Sequence, residues 1–237
     1  MNFKKLKRRL SIVVLSLVVF AGCFVLLAYS RTWGKTEIEF KIHINEELVM
    51  QSVFGESPTF AIWLENPETQ ELQTIFVTNR AGVGDWEGKV AVPSALPKWD
   101  LVNAREKEQK SQSDEDLDAV SGATPQPGYF TSRAQVEPGS KWNCWIEMNL
   151  SGDYNEHFPE FDKETKQSDA WGTGQPALVY KASIEAVEGN TVVPELVGIS
   201  LMVNNGEIVK SLDGITTAKD VFDEITISVV KPKPRIL

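Results

Sequence analysis

Apolar and polar residues alternate along Lys35–Glu47, the stretch KTEIEFKIHINEE. A period of two is typical of a β-strand that buries one face, and we predict such a strand here. His43 falls on its polar face, where we expect it to be a solvated surface residue rather than a ligand. The residues expected on the buried face are Ile38, Phe40, Ile42 and Ile44.

Similar alternation recurs along most of the chain. Pro58–Asn79 contains two alternating runs around the turn NPETQE, which predicts a β-hairpin. Further strands are predicted at SKWNCWIEMNLS, ALVYKASIEAV, VVPELVGISLMV and DEITISVV. Before the last of these, TTAKDVFDE predicts a short helix with Thr216 as its N-cap.

The segments between these runs lack strand periodicity. PSALPKWDLV is expected to be an apolar bridge punctuated by proline, and Asn103–Leu117 a flexible excursion or a short exposed helix. Gly152–Pro176 is long, acidic and rich in turn-forming residues. Short strands with almost no helix between them predict a mainly β fold, an immunoglobulin-like antiparallel β-sandwich. The Cys…Trp…Cys signature of antibody domains is absent, so the strand topology stays open.

An unbroken apolar run, LSIVVLSLVVFAGCFVLLAY, occupies residues 10–29. As a helix it would be roughly 30 Å long, which is the thickness of a bilayer's hydrocarbon core. Five basic and no acidic residues precede it, and such a flank stays in the cytoplasm. We therefore predict a cytoplasmic basic segment (1–9), a single-pass transmembrane signal anchor (10–29) and an extracytoplasmic, periplasmic-type β-sandwich domain (30–237).

Two other interpretations of the N-terminal segment stay open. Ala28–Ser30 has small residues of the kind that signal peptidase prefers, which would make the segment a cleaved signal peptide. Phe20–Cys23 loosely resembles a lipoprotein box, although phenylalanine stands where leucine is usual. All three interpretations place the body of the protein outside the cytoplasm.

The charge distribution limits the expected partners. The whole chain has a net charge of −9, but five of its 24 basic residues precede residue 10. The rest carries 19 basic against 33 acidic residues, a net charge of −14. Such an acidic body repels nucleic acid, and we expect no nucleic-acid partner. With two cysteines and two histidines, the usual zinc and haem-attachment spacings are excluded as well.

The most distinctive candidate chemistry lies in residues 118–125, DAVSGATP. Gly122 and Ala123 have little side-chain bulk, so a second molecule can approach the backbone there. The hydroxyl of Thr124 is a nucleophile, provided that a separate transferase supplies a base and a metal-bound leaving phosphate. The other interpretation is a structural turn that leads into a strand.

DAVSGAT is similar to the acceptor motif of flavin-carrying subunits of membrane redox pumps, Asp-x-x-Ser/Thr-Gly-Ala-Thr, at every specified position. In those subunits an exported transferase joins FMN phosphate to the last threonine, so the resemblance implies FMN attachment at Thr124. The proline at position 125 departs from those subunits and favours an extended conformation at Thr124. The other candidate cofactor-binding residues of the motif are Asp118, Ser121, Gly122 and Ala123.

From about Phe60 to Val229 the chain resembles the predicted periplasmic proteins of domain-of-unknown-function family 2271. The matching pieces are FAIWLENPETQELQTIFVT, ALPKW, DAVSGATP, NLSGDYNEHFP, GQPALVYKASIE and GITTAKDVFDEITISV. This resemblance implies an extracytoplasmic β-rich domain of a kind sometimes grouped with flavin-transfer and membrane electron-transfer systems. It implies no reaction.

Three further sets of residues are not expected to form a functional site. The oxygen-rich loop of residues 153–162 lacks the spacing of an EF-hand, so we expect a solvated acidic loop and no metal. Ser121 with His157 lacks the Gly-x-Ser-x-Gly elbow of a hydrolase. Trp63, Trp99 and Trp142 are expected to be core or interface aromatics rather than a flavin-stacking set.

Two hypotheses of function remain, and neither gives the chain a catalytic residue of its own. In the first, the protein is a membrane-anchored module that binds or scaffolds a partner in the cell envelope. In the second, it is an electron-transfer carrier with FMN covalently attached to Thr124, which exchanges electrons with an envelope redox or membrane-protein partner.

Overall fold

The computed structural model describes residues 14–20, 22–24, 34–82, 95–111, 121–201 and 206–232. Most of its regular structure is β-strand, arranged in two large sheets and one two-stranded hairpin. The predicted mainly β fold is confirmed, and the architecture is consistent with a β-sandwich.

The smaller of the two large sheets has four strands in the order β10-β13-β1-β5, and its pairs are all antiparallel. β1 lies in the middle, and its four predicted inward residues are fully buried, which confirms the predicted strand. It ends at Ile44 rather than at Glu47, because the Asn45 side chain accepts a hydrogen bond from Leu48 N and caps a helix. The strands are β1 (Thr36–Ile44), β5 (Gly128–Val136), β10 (Thr191–Val192) and β13 (Phe222–Val230).

The larger sheet has the order β12-β11-β9-β6-β2-β3-β4. β2 and β3 form the predicted hairpin, whereas β3 and β4 are parallel. The strands are β2 (Thr59–Glu65), β3 (Leu72–Thr78), β4 (Ser121–Gly122), β6 (Lys141–Asn149), β9 (Ala177–Glu185), β11 (Glu195–Ser200) and β12 (Ile208–Val209). A separate hairpin consists of β7 (Phe161–Asp162) and β8 (Gln167–Ser168).

The main core lies between the two sheets. Phe60 is at its centre, and its ring centroid is 5.0 Å from that of Phe76 and 5.2 Å from that of Phe130. The predicted inward face of β6 contributes to the same core, and there burial raises the pKa of the Cys144 thiol to about 12. Phe60 and Phe76 come from the larger sheet and Phe130 from the smaller one, so these rings pack the two sheets together.

Helices contribute more than the sequence predicted. They are α1 (Glu46–Gln51), α2 (Asn79–Gly82), α3 (Pro97–Ser111) and a 3₁₀ helix (Thr217–Asp220). The predicted irregular bridge is therefore wrong from Pro97 onwards, and of the two alternatives for Asn103–Leu117 the helix is the one present, as far as Ser111. The helix predicted near residue 217 is present, but the Thr216 side chain makes no capping hydrogen bond.

Helix α3 covers the outer face of the larger sheet. Its Trp99 and Val102 are buried in a second core together with Trp63 of β2. Two buried carboxylates attach the helix, Glu106 of the helix itself and Glu147 of β6. Glu147 of β6 accepts hydrogen bonds from the backbone N–H groups of Lys98 and Trp99, at 2.9 and 2.6 Å. Both faces of the larger sheet are therefore buried near β2.

Half of the predicted membrane anchor, residues 10–29, lies outside the described residues. Residues 14–20 and 22–24 are helical. Within the described parts of the chain, no helix is both long enough and apolar enough to span a bilayer.

Candidate functional site

The motif segment connects the edges of the two sheets. Ser121 and Gly122 form β4, which pairs in parallel with Val77 and Thr78 at the end of β3. The chain then runs irregularly to a bend at Pro127 and enters β5 of the other sheet. Asp118, the acidic residue of the motif, lies outside the described residues. The segment is thus a crossover between two edge strands rather than a tight turn.

Gly122 is required by packing. A Cβ atom built on Gly122 would lie 2.7 Å from Cε2 of Phe76, which is closer than real Cβ contacts. Gly122 is not among the described glycines that have a positive φ, so any L-residue could adopt its backbone conformation. The absence of a side chain here lets the motif lie directly against the aromatic core.

Thr124 lies on the wall of an open cleft of about 490 Å³. The cleft is bounded by α1, by the loop of residues 55–59, by α2 and by the motif segment. Thr124 is half-buried, and no described residue forms a hydrogen bond with its hydroxyl. Ala123 is exposed beside it. Thr124 therefore lines the cavity, and its hydroxyl makes no hydrogen bond within the described part of the fold.

The walls of this cleft are chemically mixed. Arg80 of α2 brings a positive charge, while Glu46 and Glu56 bring negative charges. The Arg80 Nη1 atom is 3.4 Å from Glu56 Oε2. Met50 supplies an apolar wall, with 65% of its surface exposed. Such a cleft can hold a molecule that has one anionic group and an apolar part.

Among the described residues, no base is positioned to activate Thr124. No described histidine, carboxylate or lysine forms a hydrogen bond with the Thr124 hydroxyl. A threonine hydroxyl is a weak nucleophile unless a neighbouring group removes its proton. Among the described residues, the Thr124 hydroxyl therefore has no hydrogen-bonded base.

A second cleft, of about 550 Å³, adjoins the first and shares Glu46, Met50 and Pro127 with it. His43 and Asp223 line it, with His43 Nδ1 2.6 Å from Asp223 Oδ1. The His43 side chain is 32% exposed on the polar face of β1, as predicted for a surface residue, and it also contacts the Asp223 carboxylate.

Tyr129 extends this network across the outer face of the smaller sheet. Its ring centroid is 4.6 Å from that of His43, and its hydroxyl donates a hydrogen bond of 2.8 Å to Glu224. That hydrogen bond raises the pKa of Tyr129 and lowers the pKa of Glu224. Polar side chains of three neighbouring strands are thus linked beside the clefts.

The oxygen-rich loop of residues 153–162 is bonded to its own surroundings. Asp153 accepts hydrogen bonds from Thr217 and Gln175 and is 8% exposed, so it is not solvated as expected. Asn155 accepts from the backbone N–H groups of His157 and Phe158. In the part of the chain that the structure describes, no group of histidine, cysteine or acidic residues is arranged to hold a metal.

An exposed apolar patch lies next to the Thr124 cleft. We define it by Met50, Val53, Phe54 and Trp171, whose exposed fractions are 65%, 66%, 48% and 53%. The Phe54 ring lies against the loops that contain Gly152 and Gly172, and the latter loop presents Trp171. The sequence analysis missed this patch, because its members come from two segments more than a hundred residues apart.

The cleft residues Arg80, Glu56 and Met50 were also missed. They lie in short elements, α1, α2 and the loop between α1 and β2, which have too few residues to show a period. Trp63, Trp99 and Trp142 are buried, as predicted.

The chain was also compared with known proteins. No family model, no curated protein and no solved structure matches it. The resemblances to a flavin-acceptor motif and to family 2271 therefore stay predictions from the sequence.

Proposed function

We propose that the chain is a membrane-anchored, extracytoplasmic β-sandwich protein that carries FMN covalently on Thr124 and serves in electron transfer. One observation supports this most directly. The Thr124 hydroxyl has no hydrogen-bond partner among the described residues, and Thr124 lines a cleft that also contains a guanidinium. The proposal includes a single-pass anchor at residues 10–29 and an immunoglobulin-like arrangement of the two sheets.

The residues of the cleft fit such a group. FMN has an anionic phosphate, a polar ribityl chain and a large flat ring system. Arg80 can pair with the phosphate, and Met50 offers an apolar surface to the ring. The cleft is open to solvent along Ala123, so a transferase can reach Thr124. When bound, the flavin supplies the ability to accept and release electrons.

The chain's own part in the attachment is that of an acceptor. The Thr124 oxygen forms a new bond to the flavin-bearing phosphorus of an activated flavin nucleotide, such as a flavin dinucleotide. The bond from that phosphorus to the other nucleotide half breaks, and this half leaves as a nucleoside monophosphate. A base of the transferase takes the hydroxyl proton, since none of the described cleft residues forms a hydrogen bond with the Thr124 hydroxyl.

The second candidate is a non-enzymatic module that binds or scaffolds a partner in the cell envelope. The exposed apolar patch of Met50, Val53, Phe54 and Trp171 favours it, because contiguous apolar surface of this kind marks protein-interaction sites. The patch adjoins the Thr124 cleft at Met50. A carrier needs a docking surface near its cofactor, so the patch is compatible with either candidate.

Expression together with an exported flavin transferase tests the proposal. We expect the denatured protein to fluoresce as a flavin in a gel, and Thr124→Ala to remove the fluorescence without loss of protein from the membrane fraction. Thr124→Ser keeps the hydroxyl and is the matched control, in which we expect labelling to continue. A transferase that labels its own substrate but leaves this protein unlabelled would reject the carrier in favour of the binding module.

A further inference from the structure

The Thr124 cleft contains an ion pair whose two members act oppositely on an incoming anion. Arg80 attracts it, and Glu56 repels it and competes for the guanidinium. The pair is loose, with 3.4 Å between Arg80 Nη1 and Glu56 Oε2. Charge-assisted hydrogen bonds between such groups are typically about 2.7–2.9 Å long.

Both side chains are accessible to solvent. The Arg80 side chain is 25% exposed and that of Glu56 46%. Ion pairs this exposed contribute little to stability, because water and salt screen them. A guanidinium has five N–H donors in a planar fork, so a phosphate can displace the carboxylate and bind in a bidentate manner.

The surrounding charge makes Arg80 important for any anion in this cleft. Glu46 also lines the cleft, and residues 10–237 carry a net charge of −14. Without a local cation, a phosphate would meet only repulsion there. Arg80 is the positive charge among the described residues that line the cleft.

We propose that Arg80 is a positioning residue that holds the phosphate of FMN beside Thr124, and that Glu56 occupies Arg80 until the phosphate displaces it. The proposal rests on the proposed function. It predicts that the two members of one ion pair have opposite effects on the same binding reaction.

The test uses the Thr124→Ala protein, which cannot form the ester, and measures reversible binding by quenching of flavin fluorescence. FMN is titrated in parallel with riboflavin, which lacks the phosphate. We expect FMN to bind more tightly than riboflavin. Arg80→Gln should weaken FMN binding about tenfold, since it removes a charge-assisted contact, and should leave riboflavin binding unchanged. Glu56→Gln should tighten FMN binding by a few fold.

Two matched variants complete the series. Arg80→Lys keeps the charge but loses the planar fork, so it should recover part of the FMN affinity. Arg105→Gln removes an exposed arginine of α3, which is not among the cleft residues, and should change neither affinity.

Several outcomes would overturn the proposal. FMN binding no tighter than riboflavin binding is one. Equal losses for both ligands in Arg80→Gln, or effects of Glu56→Gln and Arg80→Gln in the same direction, would mean that the pair is only structural. Phosphate-dependent binding without any adduct on wild-type protein would reject the carrier function but not this role of Arg80. If an adduct forms on the wild-type protein but Arg80→Gln changes neither adduct formation nor FMN binding, the role of Arg80 is rejected and the carrier function is not.

Discussion

Gly122 and Thr124 are two residues apart, yet the structure uses them in different ways. The backbone at Gly122 lies against Phe76, whose ring packs on Phe60 and Phe130 with centroid distances of 5.0 and 4.6 Å. Thr124 faces the cleft, and its hydroxyl bonds to none of the described residues. The fold therefore depends on the glycine, while the threonine is available for chemistry.

Gly122→Ala should destabilise the protein far more than Thr124→Ala. The new Cβ would lie 2.7 Å from a ring that cannot move without disturbing its aromatic neighbours. Overpacking of this kind costs about 1–3 kcal/mol, whereas Thr124→Ala should stay within about 0.5 kcal/mol. Urea unfolding of both variants measures the difference. Equal stability of the two would show that the motif does not pack against Phe76 as described.

At the scale of elements, helix α3 shows where the sequence analysis failed. Its apolar positions are few, and it buries Glu106 together with Trp99 and Val102. Glu106 accepts a hydrogen bond of 3.0 Å from Thr74 N on strand β3. A polar helix held by buried carboxylates has no apolar period, and its partners lie on strands far away in the sequence. Periodicity alone therefore left a flexible excursion and a short exposed helix as alternatives, and it indicated neither the start of the helix at Pro97 nor its buried residues.

The attachment of α3 should be sensitive to pH through Glu147. Burial raises the pKa of this carboxyl from 4.5 to about 7, although hydrogen bonds from Ser200 and from the backbone of Lys98 and Trp99 partly oppose the shift. The folded protein thus holds the proton more tightly than the unfolded chain does. The stabilisation from Glu147 is complete below pH 4.5 and decreases as the pH rises to about 7, by up to about 3 kcal/mol.

Urea unfolding between pH 5 and pH 8 checks this effect. Glu147→Gln cannot titrate, so its unfolding free energy should fall less over this range than that of the wild type. Glu195→Gln removes an exposed carboxylate from the same sheet and should keep the wild-type slope. If Glu147→Gln has the wild-type slope as well, the carboxyl does not titrate in this range.

At the scale of the whole molecule, the sequence predicted the strands and their buried faces better than it predicted the residues of the site. Alternating residues such as Phe40 and Ile146 report burial directly, so the strands and the mainly β fold were predictable. The Thr124 cleft was not, because it depends on the tertiary contact of α1, α2 and the motif segment. The motif indicated the threonine as a candidate, but only the fold shows that Arg80 lines the same cleft.

The site lies at the end of β1 that is remote from the predicted anchor. β1 starts at Thr36, shortly after residue 29, and the cleft begins beyond its other end at Glu46. Nine residues of strand extend about 30 Å.

We expect a reporter that is active only outside the cytoplasm to work when fused after Leu237. Removal of residues 1–30 should release a soluble acidic domain. Full-length protein in the soluble cytosolic fraction would contradict this topology.

The most direct test of the account is the mass of the protein after expression with an exported flavin transferase. The account predicts an increase equal to FMN less one water, and fragmentation of the purified peptide should place the added mass on Thr124. The increase should be absent without the transferase and in Thr124→Ala. An unchanged mass in the presence of an active transferase, or an added mass on another residue, would contradict the assignment of Thr124 as the flavin acceptor.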